Sequence, residues 1–295
     1  MSSRNLRFAI FGNIYQPKNA SSVLKVLVCL NERKAEVLIE SELYDFLVRQ
    51  QQVDVSNVKV FKNADFDADF VISMGGDGTF LRAASMVGCK QIPILGINMG
   101  RLGFLADVSA SEIEPMISAL YEDDFTVESR ATIKVETDGQ PLTGYDCALN
   151  DVAILKRDNA SMISIRVSVD GEYLTTYQAD GLVVSTPTGS TAYSLSVGGP
   201  IIVPGTSVFS MTAVAPHSLN IRPIVIPDSS EISLVVESRS HNFLVALDGR
   251  SENCSEETRI TLRKAPYQVK VVKRAGQKYF HTLREKMMWG ADQRG

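Results

Sequence analysis

The chain is poor in the residues that build disulfide frameworks and metal clusters. Its 295 residues hold four cysteines, Cys29, Cys89, Cys147 and Cys254, with no Cys-x-x-Cys pair. Such sparse usage fits reduced thiols serving as small core residues, and so a reducing compartment. The three histidines, His217, His241 and His281, are far apart and show no ligand spacing. Each reads as structural, and no metal site built by the protein is expected. There is no run of about 18 apolar residues, which argues against a spanning helix. The apolar stretch Phe8–Phe11 behind Arg4 and Arg7 is too short for a signal peptide, so the expected location is cytoplasmic. Basic excess is missing too: the formal net charge is −4, which disfavours duplex nucleic acid as a partner. Neither a Walker A lysine motif nor Gly-x-Gly-x-x-Gly occurs, so a P-loop ATPase and an ordinary dinucleotide-binding Rossmann domain are disfavoured.

What is present is an ordinary globular composition, 44% hydrophobic and 22% charged, enough to bury a sizeable core. The first third alternates strand and helix patterns. Phe8–Phe11, Glu36–Ile39, Phe70–Met74 and Ile92–Ile97 read as strands, with a Pro17-containing loop after the first. Ser21–Asn31, a segment capped by Ser41 and running to Gln50, and Ser111–Tyr121 capped by Ser111 read as helices. This alternation predicts a parallel sheet. After about Asp124 the pattern becomes β-rich: Thr132–Thr137, Ala148–Leu155, Ile163–Val169, and period-two stretches at Arg259–Arg263 and Gln268–Lys273. Asp170-Gly171 reads as a hairpin turn. The expected fold class is α/β plus all-β: a Rossmann-like α/β domain over 1–125, a β-rich, sandwich-like domain over 126–280, and a C-terminal segment, 281–295, packing back on the first.

The first chemical feature lies between a strand and a helix: Gly75-Gly76-Asp77-Gly78-Thr79, with apolar residues at 80, 83, 84 and 87 behind it. A glycine-rich strand-to-helix turn aims backbone N–H groups at phosphate. A carboxylate inside that turn repels phosphate. Asp77 therefore makes sense as an acceptor of a substrate hydroxyl proton or a partner of Mg²⁺, although a lone Asp-Gly is more often a tight turn.

Asp180–Ser196 is the densest segment. A strand ends in Ser185-Thr186, Pro187 and Gly189 shape a turn, and Thr188, Ser190, Thr191, Ser194 and Ser196 offer hydroxyls beside Tyr193. It suits phosphate or ribose; a Ser/Thr-rich turn is the plainer reading. Asn150-Asp151 could clamp two ribose hydroxyls, though Asn-Asp pairs are usually turns. Asn98–Leu105 is a further glycine-rich loop at a strand end, with an ordinary connection as its alternative.

Together, from about Phe70 to Arg250, these strings resemble the NAD kinase family. Gly75–Thr79 alone is shared with lipid kinases and phosphofructokinase-type enzymes; the order of 98–105, 150–151, 180–196 and Pro216–Pro223 is more specific. The resemblance implies transfer of the ATP γ-phosphate to the 2′-hydroxyl of the adenosine ribose of NAD. It implies Asp77 as general base, with Gly75, Gly76, Gly78 and Thr79 as its binding loop and Arg82 near phosphate. Asn150 and Asp151 are implied at the ribose, and Asp180 toward the nicotinamide. Thr188 and the run Thr191, Ala192, Tyr193, Ser194, Leu195, Ser196 fall around adenine and ribose, and Phe104 beside the adenine. Position 151 is often Glu in the family, and Arg250 stands where some relatives carry Gln. Mg²⁺ is expected to arrive with ATP, and the chain to form a homodimer or homotetramer, with no nucleic acid and no membrane as partner. The rival readings are a lipid kinase sharing the loop and a non-catalytic NAD(P) sensor.

Overall fold

The computed structural model describes residues 4–13, 20–50, 55, 58–100, 103–139, 141–157 and 161–289. Pro17, Arg101, Leu102 and the residues after Trp289 lie outside them. The chain divides into two compact units. One is the chain through Ser129 together with Val269 onward, and the other is Arg130–Gln268.

The first unit runs β1 (Arg7–Gly12), α1 (Ala20–Glu32), β2 (Glu36–Glu40), α2 (Ser41–Asp45), β3 (Lys59–Phe61), β4 (Phe70–Gly75), α3 (Asp77–Val87), β5 (Ile94–Asn98), β6 (Val108–Ser109), α4 (Ile113–Glu122) and the start of β7 (Phe125–Thr137). Its sheet has the order β5-β4-β1-β2-β3, and every neighbouring pair is parallel. β4 and β5 are buried at every position, as strands covered on both faces must be. From β1 the chain builds one side of the sheet through β2 and β3, then crosses to build the other through β4 and β5. The switch point thus falls between β1 and β4, whose carboxyl ends are Gly12 and Gly75. In open parallel sheets this is where ligands settle.

The helices differ in detail from their sequence patterns. α2 opens at Ser41 with Glu40, not Ser41, in the cap position, and passes into a π-turn over Phe46–Gln50. α4 is entered through a short 3₁₀ turn capped by Ser109, whose side chain and that of Glu112 form a reciprocal capping box. The Ser-x-x-Glu spacing at 109–112 outcompetes Ser111 because it satisfies two orphan N–H groups instead of one.

The second unit holds the rest of β7, then β8 (Cys147–Ala148), β9 (Asp151–Lys156), β10 (Ile163–Val169), β11 (Glu172–Ala179), β12 (Gly181–Ser185), the single turn α5 (Tyr193–Ser196), β13 (Val208–Val214), β14 (Ile224–Pro227), β15 (Ile232–Glu237), β16 (Asn242–Leu247), β17 (Arg250–Ser255) and the first part of β18 (Ile260–Arg274). One sheet has the order β14-β13-β12-β9-β16-β17, and another includes β11-β10-β15-β18. Alternate residues of both enter one core: Val152 and Ile154 of β9, Leu182 and Val184 of β12, Ile165 and Val167 of β10, Leu234 of β15. This is sandwich packing. The Asp170-Gly171 hairpin is present, with both residues at positive φ, 51° and 82°, as a type I′ turn requires.

The second unit ends earlier than the sequence pattern placed it. Residues 269–280 group with the first unit because β18 continues unbroken past Lys264 and lays Val271, fully buried, parallel to Ile94 of β5. The C-terminal helix Tyr279–Met287 follows, with Thr282 and Leu283 buried.

Candidate active site

The Gly75–Thr79 loop leaves β4 at the switch point. Gly75 lies tight against its neighbours: a Cβ there would come within 2.2 Å of Thr79 Oγ1. Gly76 and Gly78 are exposed, and a Cβ on either would meet no atom within 4 Å. Their faces are open to an approaching ligand at the N-terminus of α3, where the helix dipole favours anions. Phe80, Ala83, Ala84 and Val87 anchor the helix on its inner side.

Asp77, the first residue of α3, is bound from the far side by a second loop. Its Oδ2 accepts the Phe104 N–H at 2.9 Å, and its Oδ1 accepts those of Leu105 and Ala106 at 3.1 and 3.0 Å. Gly103 closes against the same carboxylate: a Cβ there would lie 1.9 Å from Oδ1. The residue type at 103 is therefore dictated by close approach. Three N–H donors occupy three of the carboxylate's roughly four acceptor directions and leave one open.

Arg82, expected near phosphate, is engaged within the protein. Its Nη1 meets Glu40 Oε1 at 2.5 Å and Glu42 Oε2 at 3.2 Å, and its Nη2 donates to the Gly12 carbonyl at 2.9 Å. Glu40 is 3% exposed, and its Oε2 has no partner among the described residues. Burial raises the Glu40 pKa against the pull of Arg82. Phe104, expected beside adenine, lies under the Lys286 amine, 5.8 Å from its ring centre.

In the second unit the conspicuous group is Asp248, in the turn between β16 and β17. Asp248 and Gly249 both have positive φ, 48° and 83°. The Asp248 carboxylate accepts the N–H groups of Leu149, Asn150 and Asp151 at 2.8, 2.7 and 3.2 Å. It fixes the backbone of the Asn150-Asp151 pair from almost a hundred residues away. Asp151 is 6% exposed. Burial first, and the Asp248 charge second, push its pKa up to about 7, against a hydrogen bond from the Tyr193 N–H. Asp248 is also shifted up by burial, opposed by its three N–H donors and Arg250. The proton of the pair belongs on Asp151, which has fewer donors.

The hydroxyls of 180–196 divide into two groups. Thr186 Oγ1 donates to the Leu149 carbonyl at 2.6 Å, and Ser190 Oγ donates to that of Pro187 at 2.7 Å. Thr188 is buried and accepts from Arg130 at 3.4 Å, while Ser194 is fully buried with Oγ packed against Gly199. Thr188 and Ser194, expected around adenine and ribose, are thus buried within the loop. The hydroxyl-bearing residues left exposed or half-buried are Thr191, Tyr193 and Ser196, beside the half-buried Ala192 and Leu195. Gly189 passes so close to Asn150 that a Cβ would lie 2.0 Å from its carbonyl oxygen, which joins the two motifs. Asp180 pairs with Lys156 at 2.7 Å, and Arg250 stacks over the Tyr145 ring at 5.4 Å.

Two family models match in sequence order: the ATP-NAD kinase N-terminal domain over residues 8–125 and the ATP-NAD kinase C-terminal domain over 149–274. An NAD kinase of Bacteroides fragilis is 57% identical over 289 residues, covering 98% of this chain and 100% of that protein. The chain belongs to the NAD kinase family. An NAD kinase of Porphyromonas gingivalis is 44% identical over 285 residues, 97% of this chain and 98% of that one. Among solved structures, an NAD kinase from Archaeoglobus fulgidus in complex with ATP has a TM-score of 0.75 at 26% identity, covering 96% of this chain and 99% of its own. Yeast NADH kinase complexed with NADH, at 22% identity, has a TM-score of 0.89 over 99% of this chain and 90% of its own, and so shares the fold. Two groups of this NAD kinase-family chain escaped sequence reasoning, Asp248 and Lys286. Asp248-Gly249 at the end of the apolar run Phe243–Leu247 was a readable turn signal; nothing local marks Lys286.

Proposed function

We propose that the chain transfers the γ-phosphate of ATP to the 2′-hydroxyl of the adenosine ribose of NAD. The observation that carries this is the open Gly76–Gly78 turn at the sheet's switch point with a hydrogen-bonded carboxylate, Asp77, at its centre. The ATP complex of the Archaeoglobus relative supports the nucleotide.

In this reading the first unit handles phosphate. The loop N–H groups and the α3 N-terminus stabilise the charge spread over the transferring phosphoryl. Asp77 accepts the hydroxyl proton through its remaining acceptor direction. Arg82 reaches phosphate only by giving up contacts with Glu40, Glu42 or Gly12. The second unit holds the dinucleotide: Asn150 and Asp151 take ribose hydroxyls, the 191–196 turn borders the nucleoside, and Asp180 lies toward the nicotinamide. Among the described residues no group of three or more His, Cys, Asp or Glu is arranged to hold a metal ion. Mg²⁺ carried by the ATP phosphates would draw charge from the phosphoryl group.

The four cysteines are free thiols, which supports a reducing, cytoplasmic location. No helix among the described residues is long and apolar enough to cross a membrane. A homodimer or homotetramer is the expected assembly, checked by light scattering on the purified protein. The activity is tested by incubating the protein with NAD, ATP and Mg²⁺ and measuring NADP with an NADP-specific dehydrogenase. Steady NADP formation is expected; its absence with every phosphoryl donor tried would defeat the proposal and leave a binding role.

A further inference from the structure

The C-terminal helix carries an anomaly in its pattern. Thr282 and Leu283 are its buried residues, and Lys286, four and three positions on, lies on that same face. A lysine there is costly to bury unless something receives its charge. Its neighbours Arg284 and Glu285 point out to solvent. Among the described residues, no carboxylate comes within ion-pairing distance of its amine.

The nearby carboxylates Asp77 and Asp107 already have partners, Asp107 through its Oδ2. Asp77 holds three N–H groups of 104–106. Asp107 is bound by Lys273 and by Gln277, at 2.8 Å for the latter. The Lys286 amine instead stands over the Phe104 ring at 5.8 Å, and the Phe104 N–H is one of those that bind Asp77. Burial pulls the lysine pKa down while Asp77, Asp107 and Glu285, in that order, push it up. The amine is thus close enough to the Gly75–Thr79 loop to feel Asp77, yet neither acid neutralises it through contact.

We infer that Lys286 is a phosphate-contacting residue of the active site: its amine, held over Phe104 beside the Asp77 loop, binds a phosphate oxygen of the phosphoryl donor. The inference rests on the kinase reading above for its substrate, and on this chain's own geometry for the residue. An anion arriving at the open Gly76–Gly78 turn would meet the helix N-terminus and this cation. It would also relieve the cost of the half-buried ammonium, so binding and the electrostatics of the helix reinforce each other.

The test uses the full-length protein with Lys286→Met, which keeps the apolar stem and removes the charge, and Lys286→Arg, which keeps the charge. Calorimetry with Mg-ATP and with NAD separately, thermal melting and steady-state kinetics are measured on each. Lys286→Met should weaken Mg-ATP binding or raise the ATP KM by roughly tenfold or more. It should leave the NAD affinity within about twofold and the melting temperature unchanged or higher. Lys286→Arg should recover most of the ATP effect. Wild-type ATP binding and kinetics in Lys286→Met overturn the inference, as does a loss of ATP and NAD affinity together with a lowered melting temperature, which marks a packing role. If the wild-type protein makes no NADP, the proposed function fails, while the Mg-ATP calorimetry still decides the role of Lys286.

Discussion

Asp151→Asn should make the protein more stable at neutral and alkaline pH while weakening its hold on ribose. Asp151 is almost fully buried, and burial together with the Asp248 charge takes its pKa from the ordinary 3.8 to about 7. At about 1.4 kcal/mol per pH unit, ionising it in place costs at most about 4 kcal/mol. The sign follows from proton counts. The folded state keeps the Asp151 proton to higher pH than the unfolded chain does. Its contribution is therefore neutral below about pH 4, falls as pH rises to about 7, and is flat above that. Asparagine cannot ionise. Its Oδ1 can accept the Tyr193 N–H, and its Nδ2 can face the Asp248 carboxylate, replacing repulsion by attraction.

The measurement is the urea midpoint of wild type and Asp151→Asn at pH 5 and pH 8. Other titrating groups, His241 beside Glu256 among them, are common to both proteins and cancel in the difference. The advantage of the variant should grow by roughly 2–3 kcal/mol between the two pH values. A difference that does not change with pH, or that shrinks toward pH 8, would refute the reasoning and place the proton elsewhere in the pair. The same variant should bind NAD more weakly, since a ligand acceptor has been removed, and calorimetry reads that directly.

Four further outcomes follow from close contacts. Gly103→Ala puts a methyl group into Asp77 Oδ1 and should lower NADP formation at least tenfold, with a stability loss of about 1–3 kcal/mol in urea. Gly189→Ala drives a methyl group into the Asn150 carbonyl and should cost at least that much, seen as a lowered melting temperature. Arg82→Met strands the buried Glu40 and should destabilise by about 3–5 kcal/mol. Adding Glu40→Leu should restore stability, and if Arg82 also serves phosphate, activity in the double variant stays low. Asp77→Asn should reduce turnover by roughly a hundredfold and, because an amide cannot accept at both ends, should also cost about 1–3 kcal/mol of stability; turnover near wild type would remove Asp77 as base.

Much of the fold was legible because its signals are local. The apolar strands β1, β4 and β5, the Asp170-Gly171 turn and the 80-83-84-87 spacing of α3 are set by residues a few positions apart. The failures share a cause. β18 runs as one strand through Arg263, Lys264 and Pro266, where the period-two pattern lapses, because its two ends pair with different partners, Leu262 with β15 and Val271 with β5. In the site, composition marked the hydroxyl-rich loop but not the direction each hydroxyl faces. Ser190 turns inward because the backbone carbonyls of Pro187 and Ile202 are there to receive it. Asp248 binds a segment nearly a hundred residues earlier, and Lys286 reaches a loop more distant still, so no window of sequence contains either relationship.

Asp77 illustrates what such distant contacts do to a reading of chemistry. Seen in sequence, it is an acid waiting in a glycine turn. In the fold it is already an acceptor, held in place by three N–H groups. Strong basicity is not what the reaction needs, because a phosphoryl group moving through a loose transition state asks little of its nucleophile until late in transfer. What the reaction needs is a fixed acceptor that orients the hydroxyl in line. A carboxylate pinned by the 104–106 backbone, with one direction left open, supplies orientation first and proton transfer second. On that account Gly103→Ala, which disturbs only the pinning, should lose a large part of what Asp77→Asn loses; the two defects would differ widely only if basicity were the greater contribution.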